Sequence, residues 1–435
     1  MQVIDHHRRG RLGLALAGGG PEGAIYEIGA LRALDEALEG VDFNDVPVTV
    51  GVSSGALVGA CLANGLTTAH LVRSVVHAEP GEHPFDPELF MTPAAGEYLR
   101  RAFDVPGLLM AGLIDAVWRQ GGPDGGVLAA LTNRLGRALP VGLFDNRPLR
   151  DYLRRVFAKP GRTDDFRELK NALYVVAADL NSGEAVRFGA PGWDDVPISQ
   201  AIQASSALPG LYPPVELRGR QYVDGVLLKT LHASVALDHG AGLVLCINPL
   251  VPVDTSRAVE EGVMERADLL EHGMPTVLSQ TLRTIIHSRL DTGLAAYRER
   301  YEGADVVLIE PRRDDYTMFF VNVFSFSARR RIVEHAYVST LAQLAARREE
   351  LRHVFARHGI RLRDDVLDRP VHDLWASVGL RPERRRSRAM LPSTVPTRDL
   401  RDALSALEEL LTADDAPKAE RPAPETPARP APLDI

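Results

Sequence analysis

Ser53 has a glycine two residues away on either side, in Gly51-Val52-Ser53-Ser54-Gly55. This is G-x-S-x-G, the spacing of a nucleophile elbow. The reason is steric. A serine on a sharp strand-to-helix turn brings residues −2 and +2 together, and only small ones fit. Its Oγ then projects above the strand ends beside a helix N-terminus, which favours negative charge. Ser54 lacks the flanking glycine pair, and an ordinary serine-rich helix cap is the competing reading. A second glycine stretch comes earlier, Gly18-Gly19-Gly20-Pro21-Glu22-Gly23. Gly18, Gly20 and Gly23 fit G-x-G-x-x-G, the fingerprint of a dinucleotide site. That site needs an acidic residue closing the next strand, about 20 residues beyond the glycines. Here Asp42 and Asp45 precede that strand, which ends in the elbow. A phosphate P-loop would need Gly-Lys-Ser/Thr, which does not follow.

An acyl carbonyl under attack becomes an oxyanion and needs fixed N–H donors. Bare glycine backbone at a neighbouring strand end supplies them, and losing one such donor costs roughly a hundred- to thousandfold in rate. The first loop is therefore read as holding the charge of a tetrahedral intermediate, with a structural glycine turn as the alternative. A base must accompany the serine. A hydrolase triad runs Ser…Asp…His, but none of the 13 histidines sits in a recognisable turn after the last strands. His232 and His239 are read as surface or capping residues. In "QYVDGVLL" a short apolar strand ends in Asp224-Gly225. A carboxylate shielded from water has a raised pKa and serves as a general base if it reaches Oγ directly. Most Asp-Gly pairs are only turns, so the assignment rests on the combination.

The elements that must position these residues follow from the apolar pattern. Residues 12–17 form a short buried strand and 24–38 a helix, with Ile25, Ile28, Leu31, Leu34 and Leu38 on one face. Residues 46–50 and 56–63 repeat the strand–turn–helix form, with Gly65 as a stop. Residues 172–180, 242–250 and 304–311 read as further buried strands. Alternation of this kind implies an α/β sheet covered on both faces. Residues 83–144 read as a mostly helical insertion, within which 105–118 is either a lid or a buried helix. Residues 274–300 read as one amphipathic helix with Leu278, Leu282, Ile285, Ile286, Leu290 and Leu294 on a stripe, and 327–358 as a second helix or pair. The phenylalanine cluster at 318–326 lines an acyl tunnel or fills core. Arg384–Arg386 and Arg388 form a solvated basic linker or attract anionic lipid. The Pro/Ala-rich stretch 416–432 forms no core.

The order Gly18-Gly19-Gly20, then Gly51-x-Ser53-x-Gly55, then Asp224-Gly225 resembles the patatin-like phospholipases. Supporting stretches are "LFDNRPLRDYL", "VVAADLNSGEAVRF" and "AIQASSALPGLYPPVEL". The resemblance covers about residues 11–249, with a weaker tail to 344. It implies a three-layer α/β/α fold with a mostly parallel sheet, a helical C-terminal region, and lipid acyl hydrolysis through a Ser–Asp dyad. Carried over, Ser53 is nucleophile and Asp224 base. Gly18, Gly19 and Gly20 form the oxyanion hole, and Gly51, Gly55, Gly23 and Gly225 support the turns. No metal or organic cofactor is implied. The partner is an acyl lipid, with peripheral membrane contact left open. Two positions depart from the family: Glu22 stands where a basic residue is usual, and Val226 where Gly or Ala is preferred. Glu22 adds negative charge beside the loop unless it faces away, and points to a neutral ester or thioester substrate.

Composition bounds the rest. A chain of 435 residues, 45% hydrophobic, builds a large core or two domains. The expected layout is a mobile 1–10, a catalytic 11–250, a mainly helical 251–412 and a disordered 413–435. A net charge of −8 argues against nucleic acid. Cys61 and Cys246 have no metal-ligand spacing and make a poor disulfide framework, so a reducing, cytoplasmic compartment is expected. The start resembles a signal peptide only superficially, because its apolar patch is short and runs into the glycine loop. No apolar stretch reaches the roughly 18 residues of a membrane span. Three other functions remain alternatives: acyl transfer or thioester hydrolysis on the same site, a catalytically reduced scaffold of the same fold, and a dehydrogenase.

Overall fold

The computed structural model describes residues 11–76, 92–94, 98, 140–260, 269, 273–316 and 326–380. The expected mobile N-terminus, most of the helical insertion with its candidate lid, nearly all of the phenylalanine cluster, the basic linker and the Pro/Ala-rich tail lie outside these residues.

The chain opens with strand β1 (Leu12–Leu16), helix α1 (Gly20–Ala37), a short β2 (Leu38–Glu39), β3 (Val48–Gly51), α2 (Ser54–Ala63) and α3 (Thr68–Val76). Helix α4 (Arg147–Phe157) leads to β4 (Ala172–Asp179), β5 (Ala185–Phe188), α5 (Ile198–Ser205), β6 (Val215–Leu217) and β7 (Arg220–Asp224). Then come α6 (Ala233–Asp238), β8 (Leu243–Ile247), α7 (Thr255–Glu260), the long α8 (Gly273–Arg300) and β9 (Asp305–Ile309). Helices α9 (Phe326–Ala346) and α10 (Arg348–Ala356), strand β10 (Arg361–Leu362), and the short α11 (Asp364–Leu367) and α12 (Leu374–Ser377) complete it.

The main sheet runs β6-β7-β4-β3-β1-β8-β9, with β5 beside β4. Pairings β1–β3, β1–β8, β3–β4 and β8–β9 are parallel; β4–β5, β4–β7 and β6–β7 are antiparallel. Strands β10 and β2 form a separate antiparallel pair. The alternation of strand residues explains the layers. Leu14 and Leu16, Val175 and Ala177, and Leu243, Leu245 and Ile247 enter one core with α1, α2, α4, α5 and α9. Their neighbours Ala15 and Ala17, Val176, and Val244 and Cys246 enter a second core with α6 and α8. Both faces are apolar, so the central strands read as continuous hydrophobic runs. The result is the expected three-layer α/β/α architecture.

Strand β9 falls in the stretch 304–311 read as a strand and pairs with β8, and the residues up to Leu380 make one compact unit. One detail differs from the sequence reading. On α8, Ile286 and Leu290 are buried, whereas Leu278 is 54% and Ile285 50% exposed. The buried stripe is narrower than the periodicity suggests, since α8 packs one face against the second core. Both cysteines are buried and free. Among the described residues no helix is long and apolar enough to cross a membrane, and no group of His, Cys, Asp or Glu is arranged to hold a metal ion.

Candidate active site

The ends of β3 and β7 carry the two candidate reacting groups, and sheet register sets their height. Gly51 on β3 pairs with Val175 on β4, and Asp224 on β7 pairs with Ala177. Ser53, two residues beyond Gly51, is therefore level with Asp224, on the other side of β4. Antiparallel β7 makes this match, because it enters beyond the end of β3 and runs back to meet it.

Ser53 sits in the turn between β3 and α2 at φ 52, ψ −119. Such backbone costs a non-glycine residue about 1–3 kcal/mol. The turn is tight enough to demand the flanking glycines. A Cβ on Gly51 would lie 2.4 Å from Ala56 Cα, and one on Gly55 would lie 2.5 Å from the Ala17 carbonyl oxygen. The Gly55 N–H donates to that same oxygen at 3.1 Å, which ties the elbow to the end of β1.

The Ser53 side chain favours the charged form of the Asp224 carboxylate, and the Val226 N–H donates to Asp224 Oδ1 at 2.9 Å. Asp224 is 2% exposed and Ser53 7%. Burial pushes the Asp224 carboxyl up to about 7, opposed by the Val226 N–H and the Ser53 side chain. A Cβ on Gly225 would lie 2.4 Å from the Val176 carbonyl oxygen, so glycine is needed after the aspartate.

A third segment holds both groups. Ser205, buried at the end of α5, accepts the Ser53 N–H at 2.8 Å and donates to the Val176 carbonyl at 2.6 Å. Two residues on, the Ala207 carbonyl accepts the Asp224 N–H at 3.0 Å. Motif reasoning did not single out Ser205; its only signal was its place in "AIQASSALPG".

The glycine loop lies directly against this pair. A Cβ on Gly18 would stand 3.1 Å from Ser53 Cβ and 3.2 Å from Val226 Cγ2, and one on Gly19 would stand 2.6 Å from Pro249 Cγ. Gly20 has open space but a φ of 63, so there the backbone conformation favours glycine. Gly23 packs between Pro249 and Ser54 Oγ. Among the described residues, the N–H groups of Gly18, Gly19 and Gly20 meet no protein acceptor. The N–H of Ser54, which opens α2, likewise meets none and is a further donor beside the elbow.

Glu22 turns toward α8, where its carboxylate meets Arg283 at 3.5 Å. Arg283 also donates to the Val251 carbonyl at 3.4 Å, on the β8 side of the loop. Burial pushes the Glu22 carboxyl up to about 7, and the Arg283 charge opposes the rise. Helix α8 also reaches the other half of the site. Arg289 donates to the Leu227 carbonyl at 2.7 Å, and Thr230 donates to the Ile286 carbonyl at 3.1 Å. His232 is buried at the N-cap position of α6, so it fits the capping reading rather than the surface one. Burial lowers its pKa to about 4, opposed by the nearby Gly225 carbonyl, so it packs beside the Asp224 turn as a neutral group. His239, half-buried after α6, has Nδ1 3.2 Å from the Tyr174 hydroxyl. Neither histidine bonds Ser53 or Asp224.

The sequence model of the Patatin-like phospholipase family matches residues 14–237, which include the glycine loop, Ser53, Ser205 and Asp224. The chain belongs to that family. Patatin-like phospholipases are lipid hydrolases at the level of the family. The chain is similar to an uncharacterised NTE family protein of Mycobacterium tuberculosis, 27% identical over 239 residues. That alignment covers 54% of this chain and 30% of the relative, so the chain spans under a third of that protein. A Mycobacterium bovis relative matches to the same extent. Among solved structures, VipD of Legionella pneumophila is 16% identical with a TM-score of 0.36, covering 78% of this chain and 67% of VipD. The type III effector ExoU is 14% identical with a TM-score of 0.33, covering 93% of this chain and 62% of ExoU.

Proposed function

We propose that the chain is a serine lipid acyl hydrolase, cleaving a carboxylic ester of an acyl lipid through an acyl-enzyme on Ser53. The observation that carries this reading is an elbow serine beside a buried carboxylate whose charged form it favours, next to three glycine amides without acceptors. Ser53 Oγ attacks the acyl carbonyl carbon while its proton passes to Asp224. The amides of Gly18, Gly19 and Gly20 bind the oxyanion that forms. Collapse expels the lipid alcohol, which takes the proton back from Asp224. Water, deprotonated by the same carboxylate, then attacks the acyl-enzyme and releases the fatty acid. Val226, packed against Gly18, narrows the approach to this pair.

The test is labelling of the full chain with a fluorophosphonate probe, followed by an ester panel of varied chain length and head group. The wild type is expected to label, and Ser53→Ala is not. Labelling that persists in Ser53→Ala moves the nucleophile elsewhere, and a wild type that neither labels nor hydrolyses any ester leaves the scaffold reading.

A further inference from the structure

Residues of α8, β9 and the segment after β9 line a cavity of about 590 Å3 that the proposed chemistry does not use. Its floor is apolar, built from Val251, Leu294, Val306 and Leu308. Its wall carries five arginines, Arg257, Arg298, Arg312, Arg313 and Arg347. Only three carboxylates share that wall: Asp254, Glu310 and Asp314. Asp314 already serves two guanidiniums, Arg312 at 2.7 Å and Arg257 at 3.1 Å. Arg347 is held by Glu350 at 2.9 Å and by the Leu308 carbonyl at 3.1 Å. Arg298 and Arg313 are exposed and make no close ion pair among the described residues; Arg313 acts on Glu310 and Arg298 on Glu350 only through longer-range charge. Burial pushes the Glu310 carboxyl upward, and the hydrogen bond from Asn248 and the nearby Arg313 charge oppose the rise.

Two physical features define what fits. Like charges gathered in one concave space repel unless a counter-charge enters. A guanidinium presents forked, planar donors that match the two-oxygen edge of a carboxylate or phosphate. The apolar floor beneath them suits a hydrocarbon stem. We propose that this cavity is a second binding site, taking an oxyanion, carboxylate or phosphate, carried on an apolar stem.

One residue lining the cavity, Glu310, is connected to the glycine loop through the segment after β8. Glu310 accepts from Asn248 Nδ2 at 2.9 Å, and Asn248 Oδ1 accepts the Leu250 N–H at 3.1 Å. Pro249, between those residues, is the group against which Gly19 and Gly23 pack. An anion beside Glu310 is therefore one hydrogen bond away from the segment that props the loop. The proposal does not depend on the acyl-hydrolase reading, because none of its arginines touches Ser53 or Asp224.

The test is calorimetry on the full chain carrying Ser53→Ala, with inorganic phosphate, decanoate, and phosphatidylcholine vesicles with or without phosphatidic acid as probes. Saturable one-to-one binding of decanoate, tighter than inorganic phosphate and weakened by salt, is the expected result for a free acid. Binding confined to the phosphatidic acid vesicles identifies a lipid head group as the source. In either case R298Q/R313Q lowers the affinity about a hundredfold, each lost charge-assisted contact giving about tenfold. R298K/R313K, which keeps the charge without the fork, falls in between and carries the test if the glutamine pair melts early. Absence of binding by every probe, or affinities unchanged in both double variants, overturns the proposal.

Discussion

The Asp224 carboxyl couples activity and stability with opposite signs. As the proposed base it works ionised, so turnover rises with pH through about 7 and levels off above. The fold responds the other way. Folding raises this pKa from the unfolded value of about 4, so the folded state holds the proton more tightly. Its contribution to stability is full below that unfolded value and is lost as pH rises through about 7. Asp224→Asn removes the loss. Melting curves are expected to place the variant above wild type at pH 8, with the two converging toward pH 4, while turnover drops about a thousandfold or more. Ser205 acts through its neighbour. Ser205→Ala leaves the buried Ser53 N–H without its acceptor, a cost of about 1–3 kcal/mol. Steady-state kinetics are expected to show kcat about tenfold lower with KM little changed, because the elbow shifts and the substrate pocket does not. Ser53, Asp224 and the glycines were legible because each sits in a motif whose spacing has a steric cause. Ser205 was not, since its role depends on where α5 ends relative to β3.

Helix α8 spans both halves of the candidate site, from Glu22 beside the glycine loop to Leu227 after the Asp224 turn. Glu22 would place negative charge near the proposed oxyanion, and Arg283 draws it toward β8 and balances it. Arg283→Gln is expected to lower turnover about 10- to 100-fold, and adding Glu22→Gln to the same chain to restore most of it. Assaying the two single variants and the double variant in parallel decides this, because an arginine that merely packs gives no rescue. The helix itself was readable from its apolar spacing, but its partners were not. Arg283 and Glu22 are far apart in sequence, and nothing in either segment names the other. The exposed Leu278 and Ile285 show the same limit: periodicity gives a stripe, and only packing decides how wide it is.

The family match ends at residue 237, yet the compact unit runs to 380. Helix α9 presses on α1 so closely that a Cβ at Gly29 would lie 2.4 Å from the Val333 carbonyl oxygen. Strand β9 covers the edge of β8, and Ile286, Leu290 and Tyr297 close the second core. A chain cut after Leu250 is expected to be insoluble, with the β8 edge bare, whereas one cut after Leu380 keeps a single cooperative melt; solubility and circular dichroism check both. The alternation of strands and helices made the sheet legible, but strand order, and so the need for these later elements, was not. The position of β4 has a consequence for heat. The acid and the alcohol stand on opposite flanks of one central strand, spaced by its ladder of hydrogen bonds. Warming that loosens only the rim leaves their separation untouched, and the pair comes apart when the middle of the sheet does.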